Sequence, residues 1–202
     1  MNTDLTQKML HLKLPTDPRW VDIAEKNIED ILVDHAYCEQ KAATSCISLI
    51  VLYPDKEKLV DVLTPIVAEE WGHFERVMEQ LKKRGYKLGK GRKDEYVNQL
   101  MAFIKTAGLS KEAKLMDQLL LCALIEARSC ERFKVLSENI KDPELAKFYR
   151  DLMISEAGHY TTFLGFARKY VDNFDVDKRW QEWIDFEGEL ITNYGKNETV
   201  HG

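Results

Sequence analysis

Two glutamate–histidine pairs with the same spacing stand out in this sequence, Glu70–His73 and Glu156–His159. Residues three apart on a helix lie on one face, so each pair can present a carboxylate and an imidazole together. Both groups are common ligands of metal ions in proteins. The two pairs therefore predict chemistry at a bound metal.

Each pair also has a glutamate upstream at nearly the same interval. Glu39 lies 31 residues before Glu70, and Glu126 lies 30 residues before Glu156. One Glu from each of two helices, with Glu-x-x-His from each of two others, is the ligand pattern of dinuclear carboxylate centres in four-helix bundles. The predicted metal ligands and catalytic residues are Glu39, Glu70, His73, Glu126, Glu156 and His159.

The spacing alone is weak evidence, because 19 glutamates and five histidines in 202 residues produce such pairs by chance. A third pair, Glu198–His201, lies in the polar C-terminal tail, and we interpret it as accidental. The other two pairs, like both upstream glutamates, interrupt apolar stripes at helical spacing. Carboxylates buried there need compensating positive charge, which two divalent cations would supply. The alternative is a set of buried polar groups that satisfy one another.

Four long helices, A to D, are predicted to hold these side chains. Asp and Ser residues mark helix starts, Pro suits the first helical position, and Gly and Pro mark the ends. The predicted bounds are Asp17 to about Leu52 for A, about Asp55 to Arg84 for B, Ser110 to about Ile140 for C, Asp142 to about Val171 for D, and short helices at Tyr96–Thr106 and Trp180–Tyr194.

The two hairpins A–B and C–D would place the ligands at one height. Glu39 is about 15 residues before the turn at Pro54 and Glu70 is 16 after it, so each lies roughly 23 Å from that turn at 1.5 Å per residue. The second hairpin repeats this arrangement around Asp142. We therefore expect an all-α fold in which residues 1–202 form a single domain built around a four-helix bundle with extra short helices.

Composition narrows the class of protein. Hydrophobic residues make up 45% and charged residues 31%, as in ordinary globular proteins, and no apolar run approaches the roughly 20 residues that span a bilayer. The N-terminus lacks the apolar core of a signal peptide. We expect a cytoplasmic protein with no membrane partner. None of the four cysteines forms a C-x-x-C motif, so we expect small buried thiols.

One stretch is strongly basic, although the chain as a whole has a net charge of −5. That net charge argues against a protein that coats nucleic acid over its whole surface. Residues 82–93 read KKRGYKLGKGRK. Either this is a solvated, mobile loop, or it is an electrostatic contact for phosphates. The candidate substrate-binding residues are Lys82, Lys83, Arg84, Lys87, Lys90, Arg92 and Lys93.

Four other residues near the predicted ligands need an interpretation. His35, one turn before Glu39, either holds that ligand by a hydrogen bond or has a packing or capping role. Glu131 is an alternative ligand to Glu126, but it points elsewhere and is expected on the outer side of its helix. We expect Tyr37 and Tyr160 to pack in the core.

The segments around these residues resemble one known family. DHAYCEQKAA (34–43), EEWGHF (69–74), LIEARSCERF (124–133) and SEAGHY (155–160) are similar to the bacterial tRNA hydroxylases that act on 2-methylthio-isopentenyladenosine. The resemblance implies a ferritin-like four-helix bundle with a non-haem di-iron centre held by the same six residues, with manganese less favoured than iron. It also implies hydroxylation of the isopentenyl side chain of a modified adenosine in tRNA, with O₂ and an electron-donating reductase as partners.

Two other classes of function remain open. A ferritin- or rubrerythrin-like protein would use the same ligands to oxidise iron or remove peroxide, although a rubrerythrin usually adds a C-x-x-C module that this chain lacks. A helical scaffold with no metal is the second alternative, and metal analysis of the purified protein separates it from the first.

Overall fold

The chain is described by a computed structural model that covers residues 10–91, 94–104, 110–192 and 200. Within these ranges the chain forms helices and no strand, which confirms the predicted all-α class. The helices are α1 Trp20–Lys26, α2 Ile28–Leu52, α3 Glu57–Lys83, α4 Glu95–Phe103, α5 Lys111–Asn139, α6 Pro143–Tyr170 and α7 Val176–Ile191.

The chain divides into two compact units. One unit consists of residues 26–93 and 198–200, and in it the long helices α2 and α3 pack against each other as a hairpin. The other unit consists of residues 1–25, 94–197 and 201–202, and its centre is the hairpin of α5 and α6. Helix α7 packs on both helices of that second hairpin and on α4. Each unit thus supplies one long helical hairpin, as predicted.

The helix starts predicted from capping residues are confirmed. The Ser110 hydroxyl accepts a hydrogen bond from the Ala113 N–H at 3.1 Å, which satisfies a backbone donor at the start of α5. The Asp142 carboxylate does the same for α6, and Pro143 takes the first helical position. Because these interactions are local, they can be read from the sequence.

The prediction of one continuous helix A is wrong. Asn27 has φ −132° and ψ 43°, so the chain leaves the helical conformation there and α2 begins at Ile28. Asn is a weak helix former because its amide competes for the backbone groups. The final helix also begins earlier than predicted, at Val176, because Asp175 caps it through the Lys178 N–H.

Helix α3 ends in a defined turn. The Tyr86 N–H donates to the Leu81 carbonyl at 2.9 Å, and the Gly85 N–H donates to the Lys82 carbonyl at 3.1 Å. Gly85 has φ +76°, a conformation that glycine adopts without steric cost. This is the Schellman arrangement, and it fixes the direction in which the basic segment leaves the helix.

A buried charge cluster stabilises the unit that contains α5. Arg128 is fully buried, and its guanidinium pairs with Glu187 at 2.7 Å and with Glu131 at 3.0 Å. Burial lowers the pKa of Arg128, but the charges of Glu187 and Glu131 outweigh it and the net shift is upward. Glu131 also accepts from the Thr16 N–H at 3.0 Å. The expectation that Glu131 lies on the outer side is therefore wrong, because its partner is a buried arginine.

No helix in the described part of the chain is long and apolar enough to cross a membrane. Helix α5 is buried on all sides between residues 126 and 134. Helix α2 instead buries one stripe, in which the buried residues recur every three or four positions and include Leu32, Ala36, Ala43 and Cys46. The predicted ligand Glu39 interrupts that buried stripe.

Candidate metal centre

The α2–α3 hairpin brings three predicted ligands together. Glu39 comes from α2, and Glu70 and His73 come from α3, one turn apart. The His73 Nδ1 lies 3.4 Å from a Glu70 carboxylate oxygen and 3.6 Å from one of Glu39. One donor atom from each residue lies within 4.8 Å of the others. All three side chains are buried. We call this group the first half-site.

His35 contacts the predicted ligand Glu39 in the way that the hydrogen-bonding interpretation predicts. Its Nε2 lies 2.6 Å from the Glu39 Oε1, and the imidazole is completely buried. The other Glu39 oxygen is the one that faces His73. His35 therefore occupies one oxygen of Glu39 and orients the other toward the half-site.

The α5–α6 hairpin builds a second group of the same composition. Glu126 comes from α5, while Glu156 and His159 come from α6. The His159 Nδ1 lies 3.6 Å from a Glu156 oxygen, and one donor atom from each of the three residues lies within 4.8 Å of the others. All three are buried. In this second half-site, as in the first, the histidine presents Nδ1 to the carboxylates.

The donor sets fit divalent metal ions. Each half-site holds two carboxylates and one imidazole, so it carries a charge of about −2 when both acids are ionised and the histidine is neutral. Buried charge of that size is unfavourable unless a cation neutralises it. Oxygen donors with a single imidazole suit iron and manganese, whereas zinc and copper sites use more nitrogen or sulfur. One divalent cation in each half-site would balance its charge.

Among the described residues, the Cys130 thiol is not one of the donor atoms grouped with Glu126, Glu156 and His159. Burial raises its pKa to about 12, and the charge of Glu156 contributes to the shift. Within the described residues none of the four cysteines forms a disulfide; Cys130 and Cys46 are buried, and Cys38 and Cys122 are partly exposed.

The two tyrosines beside the ligands have different environments. Tyr160 is buried and its hydroxyl lies 2.8 Å from the Nδ1 of His11, as expected for a core residue. Burial raises its pKa. Tyr37 is only partly buried, so the expectation of core packing is wrong for it. Its hydroxyl donates to the Gly89 carbonyl at 2.9 Å, a contact between residues 52 apart that no spacing rule could find.

The basic segment has both exposed and partnered cations. Lys82, Lys83, Lys87 and Lys90 are exposed. Arg84 instead donates to the Gln80 carbonyl and side chain, at 3.1 and 2.6 Å. The remaining predicted contacts, Arg92 and Lys93, and the third pair Glu198–His201 lie outside the described residues.

Comparison with solved structures identifies a similar fold. "Protein 43 with aldehyde deformylating oxygenase activity from Synechococcus" superposes with a TM-score of 0.85 at 29% identity, covering 95% of each chain. This likeness, with the helices described above, confirms the predicted ferritin-like bundle.

Sequence comparison identifies relatives and a family. A Pseudomonas putida protein named tRNA 2-(methylsulfanyl)-N(6)-isopentenyladenosine(37) hydroxylase is 37% identical over 165 residues, which cover 82% of this chain and 78% of the relative. A Salmonella typhimurium protein of the same name is 26% identical and covers 94% of this chain and 87% of its own. Residues 3–202 match the family described as tRNA-(MS[2]IO[6]A)-hydroxylase (MiaE). The chain therefore belongs to the MiaE family of tRNA hydroxylases.

Proposed function

We propose that this protein hydroxylates the isopentenyl side chain of 2-methylthio-isopentenyladenosine in tRNA, using O₂ at a di-iron centre. The observation that carries the proposal is the pair of buried half-sites with identical composition, each with two carboxylates and one imidazole. A dinuclear metal site explains why six such side chains lie in apolar surroundings. Membership in the MiaE family supports the substrate.

We further propose that the two half-sites form one dinuclear centre. Glu39, Glu70 and His73 would hold one iron ion, and Glu126, Glu156 and His159 the other. Two divalent ions balance the four carboxylates. Iron bound by these residues supplies the capacity to reduce O₂ and to insert one oxygen atom into an allylic C–H bond. The same six residues are then the catalytic residues.

The reaction must balance in electrons and protons. The C–H bond of the substrate becomes C–OH, the second oxygen atom leaves as water, and two electrons and two protons are consumed. An external reductant supplies the electrons, so an electron-donating reductase is a required partner. Because its proposed substrate is tRNA, we propose that the enzyme is located in the cytoplasm.

The protein contributes placement and shielding from water. The carboxylates and imidazoles are held by helices whose apolar stripes exclude solvent from the half-sites. His35 orients Glu39 from the side opposite His73. The substrate base lies in a single-stranded loop of tRNA, where bases can be splayed out of the stack. The exposed lysines at the end of α3 and in the following loop support the proposal that this segment contacts its phosphates.

Mass spectrometry of tRNA nucleosides from cells with and without this gene tests the proposal. We expect the hydroxylated nucleoside only when the gene is present, and the unhydroxylated precursor to accumulate in its absence. The same nucleoside profile in both strains would contradict the proposal.

The similar solved structure with aldehyde deformylating oxygenase activity, which matches 95% of this chain, defines a competing activity that we expect this protein to lack. Incubating the iron-loaded protein with an aldehyde, O₂ and a reductant tests it directly. We expect no turnover of the aldehyde under conditions in which modified tRNA is hydroxylated.

A further inference from the structure

One side chain joins the basic loop to helix α2. We define the basic loop as residues 85–91, which follow α3. The Tyr37 hydroxyl donates to the Gly89 carbonyl at 2.9 Å. The Tyr37 ring also lies against Gly91, where a Cβ atom would be 3.1 Å from two ring carbons. The loop therefore touches α2 at two points, one polar and one a close backbone approach.

The loop reaches these contacts through a defined backbone path. Gly85 and Gly89 have φ values of +76° and +62°, in the left-handed region that favours glycine. The turn at Gly85 is fixed by its hydrogen bonds to the last turn of α3. Gly91 fits the ring because it has no side chain. Gly89 and Gly91 thus lie at the contact with Tyr37, and Gly85 sets the direction in which the loop leaves α3.

The loop carries exposed positive charge. Lys87 and Lys90 lie on either side of Gly89, the residue that Tyr37 binds, and both are exposed. Lys82 and Lys83 add two more exposed cations in the last turn of α3. A loop that must be ordered when it binds phosphates loses conformational entropy at that moment. A loop already held by Tyr37 avoids part of that loss.

We propose that Tyr37 is a positioning residue that holds the basic loop in the shape that receives the phosphodiester backbone of tRNA. This inference rests on the proposed function for its ligand. Tyr37 stands two residues before Glu39 on the same helix, so the tether also fixes the loop relative to the helix that supplies a metal ligand.

The first test is tRNA binding by Tyr37→Ala, Tyr37→Phe and Gly91→Ala in the full-length, iron-loaded protein. We expect Tyr37→Ala to weaken binding of modified tRNA by about three- to tenfold, the range that follows from losing a hydrogen bond and its packing. Tyr37→Phe keeps the ring contact, so its loss is smaller. In Gly91→Ala the added Cβ lies 3.1 Å from the ring, so the ring or the loop must shift by a few tenths of an ångström, and we expect a smaller loss of affinity than in Tyr37→Ala. Gly165→Ala, a helical glycine with open space around it, is the matched control.

A double-mutant cycle distinguishes an effect of Tyr37 on the position of the basic loop from a general loss of structure in α2. If Tyr37 acts through the loop lysines, replacing Lys87 and Lys90 with Ala costs less affinity in the Tyr37→Ala background than in the wild type. Iron content and kcat at saturating tRNA stay at the wild-type level, while KM rises. Additive effects, or unchanged affinity in both Tyr37→Ala and Gly91→Ala, would overturn the inference. So would a parallel loss of iron, which would make Tyr37 a structural residue of α2.

The inference and the proposed function fail separately. Binding of tRNA is read without turnover, so the tether is tested even if the wild-type protein forms no hydroxylated nucleoside. That second result would contradict the proposed function alone.

Discussion

At the scale of residues, the two half-sites have the same chemistry but different supports. His35 contacts Glu39 in the first half-site at 2.6 Å. In the second, the Cys130 thiol is buried near Glu156, and burial and the charge of Glu156 raise its pKa. The role of the six residues as metal ligands stays a prediction. The closeness of Glu70 to His73, of Glu156 to His159 and of His35 to Glu39 could be predicted from helical spacing, because residues three or four apart share a face. The pairing of Arg128 with Glu187 on α7 could not be predicted in this way, because helical spacing does not show which distant residue lies opposite.

Replacing one ligand in each half-site tests the metal assignment. We expect Glu70→Ala and Glu126→Ala each to reduce bound iron from two ions per chain toward one or none, because a buried site with one carboxylate no longer neutralises the cation. Iron is measured by elemental analysis after anaerobic loading. Glu138→Ala, an exposed acid on the same helix as Glu126, is the control and keeps the wild-type iron content. Full iron content in both ligand variants would disprove the assignment.

His35 provides a finer prediction. His35→Phe removes the hydrogen bond to Glu39 and should weaken iron binding by about 10- to 100-fold, the usual effect of losing a partner that orients a ligand. His35→Gln retains a donor and should recover part of that loss. Competition with a chelator of known affinity gives the measurement. Equal affinities for wild type and His35→Phe would show that the contact is only packing.

At the scale of elements, helix α5 carries both the predicted metal ligand Glu126 and part of the buried charge cluster. Arg128, two residues after Glu126, is paired with Glu131 on its own helix and with Glu187 on α7. The guanidinium of Arg132 lies 4.5 Å from the ring of Trp20 in the N-terminal segment. Burial and the charge of Arg128 lower the pKa of Arg132 to about 10, so it remains charged at neutral pH. Through these contacts α5 is joined to α7 by Arg128 and to the N-terminal segment by Arg132.

Breaking this cluster should destabilise the fold without touching the half-sites. Glu187→Gln leaves the buried Arg128 with one carboxylate partner, and we expect a loss of about 3 kcal/mol in the free energy of unfolding. The control is Glu189→Gln, an exposed position on the same helix, which should change stability by less than about 0.5 kcal/mol. Chemical denaturation measures both. Equal stability of the two variants would mean that the ion pair contributes nothing net.

Helix boundaries show where local sequence signals are enough to predict the structure and where they are not. Ser110 and Asp142 mark true helix starts because each side chain bonds the N–H groups of its own first turn. The break at Asn27 was missed because weak helix propensity alone does not end a helix unless tertiary packing favours the break. The Tyr37–Gly89 contact also depends on tertiary structure, because it requires a loop to fold back on a distant helix, and no local signal in the sequence predicts it.

At the scale of the whole molecule, the chain consists of two units that each contribute one hairpin and one half-site. The four-helix bundle could be predicted because the ligand pattern repeats along the chain with nearly equal intervals. That residues 1–202 act as a single domain around one dinuclear centre stays a prediction. With a net charge of −5, we expect tRNA to bind at a local basic surface, and we propose that the lysines of α3 and the basic loop form it.

Isotope labelling during turnover tests the central claim most directly. The purified, iron-loaded protein is supplied with tRNA containing 2-methylthio-isopentenyladenosine, a reductant and O₂ enriched in heavy oxygen, and the nucleosides are analysed by mass spectrometry. We predict one heavy oxygen atom in the isopentenyl side chain of the product, and no product from the Glu126→Ala variant or without O₂. Unlabelled hydroxyl oxygen, or equal product from Glu126→Ala, would contradict O₂-dependent hydroxylation at this metal centre.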